Sequence, residues 1–160
     1  MRHALAARED RVVDLDAALL WTHAAATTGL AGLAWVVQLV VYPAFRVVGP
    51  TTAWPALHAH HTRAMATVVT LPWAVQGLTL AALLLRRPPG TTLPLLLLTG
   101  ALAATTVAVT AVSSVPLHTR LAGGYDDVLA RRLVTTNWLR TVAWTAGAAC
   151  SLVLVARATS

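Results

Sequence analysis

The sequence predicts an all-α fold, a four-helix transmembrane bundle. Three observations lead there. Four long apolar runs follow one another along 160 residues, 57% of which are hydrophobic. Only 11% of residues are charged, against about 25% in ordinary soluble domains. Proline, glycine and arginine cluster between the runs, where chain reversals belong. So few charges cannot cover a soluble surface, whereas lipid can cover an apolar one.

Residues 1–16 form a charged lead-in, from Arg2 to Asp16, too acidic for the positive start of a secretory signal. No cleavage is expected. The domain proper covers 17–157, with helices expected at 17–43, 56–85, 93–115 and 128–156. The first run, Ala17 to Val41, holds His23 and Gln38 and ends at Tyr42-Pro43. At ~1.5 Å per residue such a run spans a ~30 Å hydrocarbon core with some tilt. Gly49-Pro50 and Trp54-Pro55 punctuate the next loop. Pro55 suits the first turn of the second helix, where its missing N–H costs nothing. Pro72 lies inside that helix and predicts a kink. Arg86-Arg87-Pro88-Pro89-Gly90 makes a short connection. The third run, Leu93 to Val115, is threonine-rich and is expected to close at Pro116. Gly123-Gly124-Tyr125-Asp126-Asp127 reads as a turn with a helix cap, leading to the fourth helix.

Four crossings put both termini on one side. The twelve arginines divide evenly between the two sides, but Arg86-Arg87 sits in the tightest loop, which by the positive-inside rule predicts cytoplasmic termini in a multi-pass cell-membrane protein. The two halves also echo one another. Tyr42-Pro43 then Arg46 resembles Val115-Pro116 then Arg120, and Trp73 matches Trp144, as in a duplicated helical hairpin. The formal charge of +6 comes from arginine alone. Because the arginines flank apolar runs singly or in pairs, they suit lipid headgroups and predict no nucleic-acid partner. The single cysteine, Cys150, excludes an intrachain disulfide and a cysteine-rich metal cage.

The bundle brings the polar residues of interest to one end. Gln38, Tyr42, Arg46, His58, His60, His61, Arg63, Met65, His118, Arg120, Asn137 and Arg140 all fall at the long-loop side. His58 and His61, at i and i+3, share a helix face, and His118 can join them from the third helix. Three neutral imidazoles with an open position suit copper, iron or zinc, copper or iron being the expected cofactor. Met65, one turn further in, would favour copper as a fourth ligand. A bis-histidine haem would need His58 or His61 opposite His118. The same histidines are equally at home as interfacial side chains. As acid/base groups, His58, His61 and His118 would act with Arg140, an interior cation suited to an enolate or phenolate. Asn137, Gln38, Tyr42 and Arg63 are the candidate substrate-binding residues.

Certain strings resemble a known family. Val40-Val-Tyr-Pro-Ala-Phe-Arg-Val-Val-Gly49, Leu57-His58-x-x-His61-x-Arg63, Val115-Pro-Leu-His118-x-Arg120 and Asn137-Trp-Leu-Arg140-Thr-Val-Ala-Trp144 look like a family of small actinobacterial four-helix membrane proteins. More distantly the chain is similar to anthrone-oxygenase-like membrane proteins, over most of residues 30–145. That group often has asparagine where this chain has His118-Thr119. The resemblance implies an integral membrane oxidoreductase or oxygenase acting on a lipophilic or aromatic small molecule. It supplies no cofactor. The alternative is a non-catalytic accessory subunit or small-molecule binder, and either could form a homo-oligomer. A transporter is a third reading.

Overall fold

A computed structural model describes residues 2–159, with side chains from Leu15 onward. The side-chain charges of the lead-in before Leu15 lie outside the described residues. Among the described residues all regular structure is helical, and four segments are long and apolar enough to cross a membrane: Leu15–Val48, Trp54–Arg86, Leu93–Ala122 and Asp127–Thr159. The chain is a four-helix bundle.

The first span consists of α1 (Arg2–Val36), a π-helical turn at Val37–Val41 and α2 (Tyr42–Val48). The second is α3 (Trp54–Arg86). The third is α4 (Leu93–Val109), a π turn at Thr110–Ser114 and α5 (Val115–Ala122). The fourth is α6 (Asp127–Thr159). Ends expected at Pro43 and Pro116 are therefore corrected. In both spans proline occupies the second residue after a π turn. The wider i→i+5 turn makes room for the ring that an α-helical turn would clash with, so the helix continues beyond it. At Pro72, α3 likewise continues as helix on both sides.

The architecture repeats. Val37 and Thr110 open the π turns, Pro43 and Pro116 follow them, and Trp54 and Asp127 start the long helices, all at one constant offset. That offset pairs Arg46 with Thr119, one residue from the match with Arg120 that the sequence suggests. It is the backbone pattern that recurs, in the manner of a duplicated hairpin.

α6 lies at the centre, packed on α1 and α4. Its buried residues include Ala130, Leu133, Asn137, Thr141, Trp144, Ala148, Ser151 and Val155, a seam at steps of three and four. Small residues let the helices approach: a Cβ on Gly147 would lie 3.5 Å from the Thr27 methyl. The opposite faces are apolar and outward, as at Trp21, Leu71, Leu78, Leu85 and Val112, which is where lipid belongs. Asp126 caps α6 by accepting from the N–H groups of Val128 (2.7 Å) and Leu129 (3.0 Å).

The short-loop end is tied by Arg86 Nε to Asp16 Oδ1 at 2.7 Å. Arg87, in the left-handed region at φ 49°, ends α3. Gly90 turns the chain at φ +79°, where a Cβ would meet the carbonyl oxygen of Arg157 and stand 2.9 Å from Ala158 Cα. Gly90→Ala should therefore cost about 1–3 kcal/mol through backbone strain and the clash together. A thermal unfolding midpoint in detergent that is unchanged by the substitution would refute this packing.

A polar cavity at the long-loop end of the bundle

At the end where α1 and α2 finish and α3 begins, the bundle encloses a cavity of ≈ 780 Å³. Its inner wall is apolar, formed by Leu30, Leu33, Ala34 and Val37 of the first span with Val69 and Trp73 of α3. Its outer part carries Tyr42, His58, His61, Arg63, Met65, Ser114, His118, Asn137 and Arg140. Eight residues singled out from sequence thus surround one space. Gln38 and His60 do not line it. His60 is exposed, as expected from its rotation away from His58 and His61.

The imidazoles interact with one another. His58 Nε2 and His118 Nδ1 are hydrogen-bonded at 3.1 Å, and His118 Nε2 is 3.4 Å from the Tyr42 hydroxyl. The Arg140 guanidinium sits beside that hydroxyl and interacts with it. Donor chemistry constrains this chain. Arg140 can only donate, so the Tyr42 oxygen accepts. A neutral His118 carries one ring proton. On Nδ1 it donates to His58 and Nε2 accepts from the phenol; on Nε2 it donates to the Tyr42 oxygen, and Nδ1 accepts from His58.

His61 stands beside this chain, in ring contact with Phe45 (4.8 Å between centroids) and His118 (5.6 Å). Phe45, the only phenylalanine in the chain, is buried among His58, His61 and His118. Trp54 closes the floor beneath them, donating from Nε1 to the Leu121 carbonyl at 3.0 Å and stacking on His58 at 4.9 Å. Phe45, Trp54, Ser114 and Trp144 are not among the site residues that the sequence predicts. The uniqueness of Phe45 beside Tyr42-Pro43 was the available signal for one of them.

Arg140 is the electrostatic centre. Its Nη1 donates to Ser114 Oγ at 3.2 Å, and its guanidinium carbon lies 5.0 Å from the centre of the Trp144 ring. Its Nε is buried and has no hydrogen-bond partner. Among the described residues the ion pairs join Arg46, Arg86 and Arg131 to Asp16 or Asp127, and none reaches Arg140. An arginine inside a membrane bundle without a carboxylate is costly to keep.

Asn137 and Gln38 chiefly bind each other. Asn137 Nδ2 donates to Gln38 Oε1 at 2.8 Å, and Gln38 Nε2 donates to the Val134 carbonyl at 3.3 Å. Both are buried. They lock α6 to the π turn of the first span, and Asn137 forms part of the wall beside Arg140. Met65 lies on the same wall and packs on the aromatic cluster around Phe45.

The arrangement bears on the metal expectation. Among the described residues no group of three His, Cys, Asp or Glu is placed to hold a metal ion. His58 and His118 direct ring nitrogens at each other, in a hydrogen bond instead of at a shared point. Their rings touch, with centroids 5.3 Å apart, so this arrangement leaves no room for a porphyrin between them. Sequence spacing brings imidazoles to one place but does not set their rotation.

A second polar group lies towards the short-loop end. Trp144 Nε1 donates to Gln76 Oε1 at 3.4 Å, and Gln76 Nε2 donates to Thr27 Oγ1 at 3.2 Å. His23 Nδ1 meets Thr79 Oγ1 at 3.0 Å. Thr79 sends its own proton to the Val75 carbonyl at 2.6 Å, so it accepts from His23. His23 Nε2 is then a buried acceptor without a partner. His23 does not reach the cavity, in keeping with its place near the start of the first run.

Fold and cavity together define a multi-pass helical membrane protein with a polar site inside its bundle. No family model matches the chain, and neither does any curated protein or solved structure compared with it.

Proposed function

We propose that the protein is an integral membrane oxidoreductase of the oxygenase class, acting on a lipophilic aromatic molecule with an ionisable oxygen. The observation that carries this is Arg140, a cation with no carboxylate partner among the described residues, in a cavity whose inner wall is apolar. Such a site favours a ligand that is greasy at one end and anionic at the other. Tyr42 and Arg140 face the oxygen, with the His118 proton on Nε2 so that the phenolic proton of Tyr42 is left for the ligand. His61, whose ring edge is free of the Arg140–Tyr42–His118–His58 chain, takes the proton. His118 and His58 hold Tyr42 in place. The resemblance to anthrone-oxygenase-like proteins supports the same class.

The chemistry balances with dioxygen as oxidant. A methylene activated by a neighbouring aryl ketone loses a proton to His61, and its oxygen becomes an enolate beside Arg140. Dioxygen adds at the carbon and is reduced as the carbon is oxidised. Loss of water then leaves a second carbonyl, so CH₂ plus O₂ gives C=O plus H₂O. The imidazoles enter as bases, and the step as written uses no metal.

Anthrone is the test molecule. In lipid nanodiscs at neutral pH, the protein should convert it to the quinone with one dioxygen consumed per quinone formed. Conversion no faster than in protein-free nanodiscs would refute the oxygenase assignment. The rival account, a non-catalytic binder, predicts binding of the molecule with no dioxygen uptake.

A further inference from the structure

A groove of ≈ 450 Å³ lies beside the cavity, between α3 and α4. Thr70 and Trp73 border both spaces, so the two are neighbours at these side chains. Beyond them the walls are Ala74, Gln76, Gly77 and Leu80 on α3 and Gly100, Ala103 and Val107 on α4. α3 packs closely on α1 but meets α4 at few points, which leaves this seam unfilled by the protein. Gly77 and Gly100 both have open space where a Cβ would stand. Their lack of a side chain is therefore not needed for helix contact, although glycine weakens a helix.

We propose that this groove holds the hydrocarbon tail of the ligand whose oxygen-bearing head sits at Tyr42 and Arg140. The inference rests on the cavity being a ligand site and goes beyond it, by giving the ligand's aromatic head a long hydrocarbon tail. The Thr70–Leu80 wall runs about 15 Å at ~1.5 Å per residue, the reach of a chain of about a dozen carbons. The path is polar at its outer end and mostly apolar beyond it, with Gln76 as the polar exception past Thr70, matching one head and one tail. Lipid tails are as apolar as the groove, so moving a tail into it changes affinity little. The groove fixes where the tail lies and which tails fit.

Position is accordingly the quantity to measure. 4-Dodecylphenol carrying a photoreactive diazirine at the end of its tail serves as the probe, with the full chain in nanodiscs. Labelling should fall on Ala74–Leu80 and Gly100–Val107, and unlabelled 4-dodecylphenol should compete it away while dodecane should not. Gly77→Leu with Gly100→Leu places side chains in the groove from two positions where a Cβ has nothing within 4 Å, and should cut groove labelling by about tenfold through steric exclusion. The same double variant should still bind 4-methylphenol, which needs only the cavity. Labelling spread over the outward Leu71, Leu78 and Leu85, matching that of a probe without the hydroxyl, overturns the tail assignment. If 4-methylphenol binds and the groove stays unlabelled, the tail assignment alone fails. If neither probe binds, the cavity reading fails with it.

Discussion

Replacing Arg140 with leucine should abolish turnover and leave the protein folded. Two effects set the expectation. A donor aimed at developing negative charge in a water-poor site contributes about 10²–10³ in rate, so anthrone oxidation should fall at least that far. Among the described residues the same guanidinium has no carboxylate partner, and its buried Nε has no acceptor. Placing arginine at the centre of a membrane helix costs on the order of 2.5–3.5 kcal/mol. Its contacts with Ser114 and the Trp144 face return part of that, about 0.5–2 kcal/mol for the cation–π term. Arg140→Leu should thus be at least as stable as the native chain, with a thermal midpoint unchanged or raised. Loss of activity together with gain of stability separates a ligand-binding cation from a structural one. A strongly destabilised Arg140→Leu would show that the arginine holds the bundle together.

His61→Gln should lower the rate of proton abstraction by about 10²–10⁴, the usual contribution of a positioned base. Glutamine keeps approximate size and polarity, so contacts with Phe45 and Tyr42 are largely retained. Binding of 4-methylphenol should barely change, because the head is held by Tyr42 and Arg140. A deuterated methylene in anthrone should show a larger isotope effect on the rate in the variant than in the native protein, as proton removal becomes limiting. His118→Gln should behave differently. Its loss frees Tyr42 and His58 together, so binding and rate should both weaken. Equal rates for native and His61→Gln protein would move the base elsewhere on the cavity wall.

The order of the chain conveyed the bundle well and the interior of the site only partly. Four apolar runs with arginine and proline between them suffice for four spans, because a bilayer admits few alternatives. The convergence of His58, His61, His118 and Arg140 follows from antiparallel topology alone. Pro43 and Pro116 were harder. A proline that ends an α-helix and one that follows a π turn have the same local sequence, and the extra residue in the turn carries no hydrophobic period. Gln38 and Asn137 illustrate another limit. Both lie at the depth of the site, yet their amides face each other across the α1–α6 contact, a choice made by packing. Ring rotation likewise decides whether His58 and His118 share a point or a hydrogen bond, and spacing is silent on it. The groove between α3 and α4 depends on absent side chains at Gly77 and Gly100, which in the sequence resemble any small residues of a membrane helix.

The proposed mechanism requires Arg140 to hold the ligand's oxygen as an anion inside the membrane. The most direct measurement is the ionisation of a bound nitrophenol whose absorption band shifts on losing its proton, titrated in nanodiscs with native and Arg140→Leu protein. A neighbouring guanidinium should lower the bound phenol's pKa by about one to three units relative to protein-free nanodiscs, and the shift should vanish in the variant. A bound phenol that titrates as it does in lipid alone, or that keeps its shift without Arg140, would contradict the account.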